Sequence, residues 1–109
     1  MKKYEITKED IIYISGSITT GNNKKNPGIH FDEAKVFLKE TYKPKSIISP
    51  WDTPPGLTQE AYMDISLAQI RASNTMFMLK GWETSAGALT EHAYAIKRKM
   101  KIVYQEKGE

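Results

Sequence analysis

The sequence has no cysteine among its 109 residues. Disulfide bonds, thiolate metal sites and a cysteine nucleophile are therefore excluded, which is compatible with a reducing compartment. No run of about 18 apolar residues occurs, so no transmembrane helix is predicted. The first residues, MKKYEITKEDIIYI, are charged up to Asp10 and lack the apolar stretch and cleavage site of a signal peptide. We expect a cytoplasmic protein that does not bind a membrane.

Motifs for metals and common cofactors are missing as well. The two histidines, His30 and His92, lie far apart, and there is no HExxH sequence or acid-rich loop, so we expect no catalytic metal. The glycine patterns of dinucleotide and nucleoside-triphosphate sites are also missing, and we expect no cofactor. The formal net charge is only +3, which is too small to favour nucleic acid as a partner.

Four short apolar runs predict β-strands, and the segments between them predict helices. The runs are continuous rather than alternating, which is typical of parallel strands covered on both faces. The predicted strands span residues 11–15, 46–49, 75–79 and 101–104, and the predicted helices span about 31–41, 59–72 and 86–99. Because strand and helix alternate along a chain of single-domain length, we expect one α/β domain over residues 1–109 with right-handed crossovers.

Ligands of such sheets bind beyond the carboxyl ends of the strands. Three segments follow those ends, at residues 16–30, 50–58 and 80–85. The first is rich in hydroxyl, amide and lysine side chains, which suits phosphate but is equally typical of a mobile polar loop. Trp51 in the second could stack on a base or cover the core. Trp82 and Ser85 in the third lead into a helix N-terminus, which favours anions.

The second and third predicted helices each have two apolar faces. On the second helix, one side carries Ala61, Ile65, Ala68 and Ala72, and the other carries Met63, Leu67 and Ile70. On the third, the main stripe is Leu89, Ala93, Ile96 and Met100, and a second, short strip is Ala88 and Ala95. A helix that covers a sheet needs only one buried face, so the second faces predict a homodimer or larger homo-oligomer.

Two acidic residues, Asp64 and Glu91, border these second faces. We therefore predict that both lie at the margin of a subunit contact rather than in the core of the monomer; the alternative is that both are surface acids. Displacement at an anomeric sugar carbon needs a carboxylate that attacks and an acid that assists the leaving group. Glu91 could fill the first role and Asp64 the second.

Three stretches of the sequence carry a resemblance to a known family: IYISGSITTG (12–21), MDISLAQIRASNTMFML (63–79) and GWETSAGALTEHAYA (81–95). They resemble the first strand and GSI-type phosphate loop, the Asp-bearing helix, and the Ser/Asp–x–Gly–x–x–x–Glu helix start of the nucleoside 2-deoxyribosyltransferase-like superfamily. That superfamily includes 2'-deoxynucleoside 5'-phosphate N-hydrolases and small, often phage-encoded members of unknown function (DUF4406). The resemblance covers about residues 11–104.

The resemblance implies a flavodoxin- or Rossmann-like three-layer sandwich, with a small, mostly parallel four-stranded sheet and helices on both faces. It also implies a metal-independent N-glycosidase or deoxyribosyltransferase acting on (deoxy)nucleoside 5'-monophosphates. Glu91 would be the nucleophile, Tyr13 would orient it, and Asp64 would hold the sugar or assist the leaving base. Ser85 stands where the nucleotide hydrolases carry a phosphate-binding serine, which favours a phosphorylated ligand over a nucleoside.

Further positions are implied to bind the ligand, and two other functions stay open. These positions are Gly16, Ser17, Ile18, Gly87, Trp82 and Trp51. Leu89, His92 and Ala93 depart from the glycine-rich pattern that family enzymes have around the glutamate, and the first loop is longer and carries lysines. One alternative is a non-catalytic module that sequesters a nucleotide. The other is a structural or protein-binding role in which Trp51 and Trp82 are interface anchors.

Overall fold

The computed structural model describes residues 4–17 and 28–106. Its elements are β1 (Ile11–Ser15), α1 (Ile29–Tyr42), β2 (Ser46–Ile48), α2 (Gln59–Arg71), β3 (Thr75–Met78), α3 (Ala86–Lys97) and β4 (Lys101–Tyr104), with short 3-10 helices at Pro50–Asp52 and Trp82–Thr84. The strands form one sheet in the order β2-β1-β3-β4, and every neighbouring pair is parallel. The predicted flavodoxin- or Rossmann-like α/β fold is confirmed, and the sheet, expected to be mostly parallel, is parallel throughout.

Helices cover both faces of the sheet, which gives three layers. The core on the α1 face contains Phe31, Ala34 and Leu38 from the helix against Ile12, Ile14 and Phe77 from the sheet. The core on the other face contains Tyr13, Met76 and Met78 from the sheet against Ile70 of α2 and Ala95 of α3. Successive side chains of β1 therefore point into different cores, as the two-residue period of a strand requires.

Hydroxyl side chains mark where the elements begin. The Thr58 hydroxyl accepts a hydrogen bond from the Ala61 N–H at 3.1 Å, so Thr58 is the N-cap of α2. Ser49 was predicted to end the second strand, but β2 stops one residue earlier. Its hydroxyl instead accepts from the Trp51 N–H and caps the 3-10 helix. Ser49 thus starts the next element rather than extending the strand.

The orientation of α3 differs from the one the sequence predicts. The main stripe was expected to face the core, yet Leu89, Ala93 and Ile96 are exposed. The short strip of Ala88 and Ala95 is buried against the sheet instead. The sheet supplies the large side chains on this face, so the helix that covers it contributes small ones. The apolar residues that dominate the pattern therefore point away from the core.

The two stripes of α2 are not equally buried. Ile70 is fully buried and Leu67 packs against the same core, so this side of the helix faces the sheet. Ala68 and Ala72 of the opposing stripe are exposed. Ser66 is buried on the inward side, next to Ile70 in angle around the helix. A hydroxyl group therefore enters the core between the sheet, α2 and α3.

A polar network ties the strands together at their amino ends. Asp10 precedes β1 and is almost fully buried. Its carboxylate accepts hydrogen bonds from Lys101 Nζ at 2.6 Å, the Thr7 N–H at 2.9 Å and Asn74 Nδ2 at 3.1 Å. Its carbonyl accepts from the N–H of Lys45 at 2.9 Å. Asp10 thus links the amino ends of β1, β2 and β4, which lie opposite the carboxyl ends of the strands.

Candidate active site

The strand order reverses direction between β1 and β3. The chain leaves β1 through α1 on one face and leaves β3 through α3 on the other, and these two strands are neighbours in the sheet. Connections that depart to opposite faces open a crevice at the carboxyl ends of such strands. The segments that begin there are Gly16–Ser17 after β1 and residues 79–85 after β3. Most of the predicted binding residues belong to these two segments.

Glu91 lies beneath this crevice and is buried within one protomer, with 7% of its surface exposed. The Tyr13 hydroxyl donates to Glu91 Oε2 at 2.9 Å, and the Ser15 hydroxyl donates to Glu91 Oε1 at 2.7 Å. The prediction that Glu91 lies at the margin of a subunit contact is therefore wrong. It was wrong because α3 turns its small-residue strip inward, and Glu91 lies on that strip.

A third hydroxyl group completes the cluster from the other helix. Ser66 of α2 is buried beside Glu91 and Tyr13, and its hydroxyl acts to lower the pKa of both groups. Tyr13 and Ser15 are two residues apart on β1, so their side chains point to the same face of the sheet. The four polar side chains of β1, α2 and α3 therefore converge at one point in an otherwise apolar core.

The surroundings of Glu91 set its ionisation. Burial raises the pKa of Glu91, and hydrogen bonds from Ser15, Tyr13 and Ser66 to the carboxylate partly offset that rise. Burial and the nearby Glu91 charge raise the pKa of the Tyr13 hydroxyl far above its ordinary value. Tyr13 therefore remains protonated and can only donate to the carboxylate. A carboxyl group with a raised pKa in such a crevice is typical of functional sites.

Asp64 is not brought together with Glu91 in this protomer. It is exposed on α2, while the side of the same helix that reaches Glu91 is marked by Ser66. At about 100° per residue, Asp64 and Ser66 are about 160° apart around the helix. Asp64 therefore faces away from the buried cluster. Its predicted role toward the sugar or leaving base gains no support from the geometry of one protomer.

Ser85 and Gly87 lie at the first turn of α3. Ser85 is half-buried and is the N-cap, where its hydroxyl accepts from the Ala88 N–H at 3.2 Å. A side chain added at Gly87 would meet only the Ser85 hydroxyl, at 3.8 Å, so packing does not require glycine there. Ser85 is six residues before Glu91, about 9 Å along the helix axis. The backbone positions of Ser85 and Glu91 are therefore less than two helical turns apart.

The predicted phosphate loop is described only at its first two residues. Gly16 follows β1, and a side chain there would lie 2.8 Å from Cβ of Leu79, which follows β3. Close packing of the two strand ends thus requires glycine at this position, whatever ligand binds. Ser17 is buried. Ile18, the third predicted residue, lies outside the described residues.

The two tryptophans have different surroundings. Trp82 stacks on His92 with ring centroids 4.3 Å apart, and Tyr104 closes the group through a 2.8 Å hydrogen bond with His92. Trp51 packs over Gly28 at the start of α1, where a side chain would lie 2.1 Å from the indole. Trp51 is 36% exposed, and its two alternative roles, stacking on a base and covering the core, both stay predictions. Trp82 belongs to the segment that follows β3.

Ser15 and Ser66 were missed by sequence reasoning. Ser15 and Ser66 lie within the stretches that carry the family resemblance, but the resemblance assigns a role to neither. One signal could have found Ser15: Tyr13 and Ser15 share a strand face, and Tyr13 was already expected to orient Glu91. Ser66 has a weaker signal, namely a polar residue within an apolar helical stripe.

Searches for membrane spans and metal-binding clusters gave negative results within residues 4–17 and 28–106. No helix there is both long and apolar enough to cross a bilayer. In the same ranges, histidine and acidic side chains do not gather in groups of three or more that could hold a metal ion.

Comparison with known proteins assigns a family. A search of curated proteins found no match to the chain. A family model described as "Domain of unknown function (DUF4406)" matches residues 10–104. This match runs from the residue before β1 to the end of β4 and includes Tyr13, Ser15, Ser66 and Glu91. The chain therefore belongs to the DUF4406 family.

Proposed function

We propose that this protein is a nucleotide-handling N-glycosidase or deoxyribosyltransferase that acts on the N-glycosidic bond of (deoxy)nucleoside 5'-monophosphates through Glu91. The observation that carries the proposal is the buried carboxylate of Glu91, bound by Tyr13 and Ser15 below the crevice between β1 and β3. A carboxylate held in this way can attack an electron-poor sugar carbon. The resemblance to the nucleoside 2-deoxyribosyltransferase-like superfamily supports the same chemistry.

The proposed reaction has two displacement steps at the anomeric carbon. A Glu91 oxygen forms an ester bond with that carbon, while the bond to the base nitrogen breaks and its electron pair leaves with the base, which takes up a proton. Water, or a second base in a transfer reaction, then attacks the same carbon, and the Glu91 carboxylate is released. Glu91 must be ionised to attack, so the hydroxyl groups that stabilise its anion favour the first step.

The start of α3 suits the phosphate of such a ligand. The first backbone N–H groups of a helix lack intrahelical partners and attract anions. Ser85 and Gly87 lie in this first turn, and Glu91 follows further along the same helix. In the proposed complex the phosphate binds at the helix start and the sugar extends toward Glu91. Gly16, Ser17 and Trp82 flank the ligand in this arrangement.

Incubation of the protein with a panel of ribo- and deoxyribonucleoside monophosphates, followed by chromatography, tests the proposal. Release of free base is expected from at least one nucleotide. Glu91→Gln should lower the rate by a factor of about 10³ or more, because removal of a nucleophile has effects of this size. Glu83→Gln, which changes an exposed acid in the preceding segment, is the matched control and should keep the parent rate. Equal rates in the parent protein and Glu91→Gln would contradict the assignment.

A second candidate function is non-catalytic binding of the same nucleotides. The exposed position of Asp64, about 160° around α2 from Ser66, favours it, because departure of a base normally needs an acid beside the bond that breaks. Binding alone predicts that a nucleotide raises the melting temperature and is recovered unchanged. Base release under the same conditions would exclude this candidate.

A further inference from the structure

Two buried serines lie beside the proposed nucleophile, and the family resemblance assigns a role to neither. Ser15 is fully buried at the end of β1, and Ser66 is nearly so on α2. The hydroxyl of Ser15 donates to Glu91 Oε1 at 2.7 Å. Ser66 lies beside Glu91 and Tyr13, and its hydroxyl acts to lower the pKa of both. Together with Tyr13, they surround the carboxylate with hydroxyl groups from two different elements.

The geometry constrains the carboxylate more than a single hydrogen bond would. Tyr13 binds one oxygen of Glu91 and Ser15 binds the other. Both donor residues belong to β1 and lie two residues apart on the same face of the strand. The line between their two hydroxyl groups therefore runs along the strand. A carboxylate bound at both oxygens cannot rotate about its last side-chain bond without losing a contact. Ser66 adds a contact from α2, which fixes the carboxylate relative to the helix that packs beside α3.

We infer that Ser15 and Ser66 are positioning residues that, with Tyr13, hold the carboxylate of Glu91 in one orientation and stabilise its charged form for attack. The inference rests on the proposed function and names two residues that the family resemblance does not assign. Glu91 is the catalytic residue in this arrangement, and the serines act only through it.

A purely structural role for the cluster is less consistent with its energetics. Among residues 4–17 and 28–106, the groups that hydrogen-bond to Glu91 are neutral hydroxyls and not cations, and burial of an uncompensated charge is costly. Replacement by an apolar or amide side chain would relieve that cost while the core stayed filled. A residue that lowers stability in this way is more easily explained by function.

The groups that face Glu91 from each element can be named. β1 contributes Tyr13, whose hydroxyl stays protonated. α2 contributes the neutral Ser66, and its acid Asp64 is on another side of the helix. On α3, the neighbouring His92 is engaged with Trp82 and Tyr104. β3 contributes Met76 and Met78 to the same core. Hydroxyl groups are therefore the main means by which these elements stabilise the anion.

The test measures the ionisation of Glu91 directly, without any substrate. The protein is labelled with ¹³C at glutamate carboxyl groups and titrated by NMR, and the Glu91 signal is identified by its loss in Glu91→Gln. Ser15→Ala and Ser66→Ala each remove a donor to the charged form. The pKa of Glu91 should therefore rise by about one to two pH units in each variant.

Two variants control for effects on the fold. Ser73→Ala removes another buried serine hydroxyl, which donates to the Gln69 carbonyl at 2.8 Å and does not contact Glu91. It should leave the pKa of Glu91 within about 0.2 unit of the parent value, well below the shift expected from loss of a charged hydrogen bond. Ser66→Thr keeps a hydroxyl group and should restore most of the parent pKa. If Ser15→Ala does not fold, Ser66→Ala and Ser66→Thr decide the question.

The outcomes separate this inference from the proposed function. Parent-like titration of Glu91 in both alanine variants would overturn the inference, as would an equal shift in Ser73→Ala. If the expected shifts occur but the parent protein cleaves no nucleotide, the hydroxyl groups hold Glu91 and the proposed reaction is wrong. If base is released, kcat should fall in Ser15→Ala and Ser66→Ala with little change in KM. The acidic limb of the pH profile should then move upward with the NMR pKa.

Discussion

At the scale of single residues, the most informative feature is a carboxyl group in a place that disfavours its charge. Glu91 is buried between a sheet and two helices, and in the part of the chain that the structure describes its carboxylate meets hydroxyl groups rather than a cation. An acid with a raised pKa binds a proton more tightly in the folded protein than in the unfolded chain. Folding stability therefore falls as pH rises from the ordinary glutamate pKa of about 4.5 through the pKa in the folded state.

Glu91→Gln should consequently stabilise the protein above that range. The amide keeps the size of the side chain and cannot ionise, so the free energy of unfolding at pH 8 should rise by about 0.5–2 kcal/mol, the usual size of a stabilising substitution. The gain should shrink toward zero near pH 4, where the carboxyl group is protonated in both states. Urea denaturation at several pH values measures it. A loss of stability at pH 8 would show that Glu91 is retained for structure.

The residue scale also shows how far the sequence leads. Tyr13 and Glu91 belong to recognisable motifs, and the structure joins them with a hydrogen bond of 2.9 Å. The roles of Ser15 and Ser66 could not be predicted with the same clarity, since a single serine in an apolar run usually has no function of its own. Their contacts depend on which face of α3 turns inward, and that is decided by packing between elements.

At the scale of elements, the strands were easier to predict than the faces of the helices. Continuous apolar runs indicate buried parallel strands whatever covers them, and all four were found at or within one residue of the predicted ends. The prediction of which face of α3 points inward was wrong. Leu89 and Ile96 are larger and more hydrophobic than Ala88 and Ala95, so the pattern favours the stripe that contains them. Tyr13, Met76 and Met78 already fill the space on that side of the sheet, so the helix fits with its small residues.

The amino ends of the strands are where we expect the largest structural effect of a single charge. Burial acts to raise the pKa of Asp10, but hydrogen bonds from Lys101 and the Thr7 N–H outweigh it and leave this pKa lowered. An acid with a lowered pKa contributes stability above its ordinary pKa near 3.9 and loses it as pH falls through the pKa in the folded state. Asp10→Asn should lower the free energy of unfolding by about 1–3 kcal/mol at pH 7, with a smaller difference at pH 3.

Urea denaturation at the two pH values measures this effect. Asp52→Asn is the matched control, because Asp52 is exposed in its ion pair with Lys35 and should contribute less than about 1 kcal/mol. Asp10 lies at the amino ends of the strands, opposite the ends near Glu91. Asp10→Asn should therefore leave any nucleotide chemistry unchanged while the protein is folded. Equal effects of the two substitutions would contradict a special role for the Asp10 network.

At the scale of the whole molecule, the proposed site lies at the carboxyl ends of the strands and the polar network lies at their amino ends. The carboxyl ends of β1 and β3 lead to Gly16–Ser17 and to Ser85, while their amino ends are joined through Asp10 and Asn74. A substitution at the carboxyl ends of the strands therefore does not directly contact residues at the amino ends, and the reverse is also true. This separation lets activity and stability be tested independently in one small chain.

The inverted orientation of α3 also leaves an apolar stripe on the surface. Leu89 is 46% and Ile96 is 56% exposed, and they lie seven residues apart on one side of the helix. Exposed apolar side chains grouped on one face often mark a contact. In a two-fold contact between α3 helices, the basic end near Lys97 would meet the other helix near Glu83, which is favourable in charge. The predicted homo-oligomer would use this face.

Sedimentation velocity of the parent protein and of Leu89→Lys and Ile96→Lys tests this expectation. The parent chain should sediment as a dimer or larger assembly, and both variants should sediment as monomers, because a lysine within an apolar contact must lose its hydration. Val36→Lys is the matched control: Val36 is 53% exposed but lies on α1, on the other face of the sheet. A monomeric parent protein would leave the α3 stripe without a self-contact. Dissociation by Val36→Lys alone would place the contact on α1 instead.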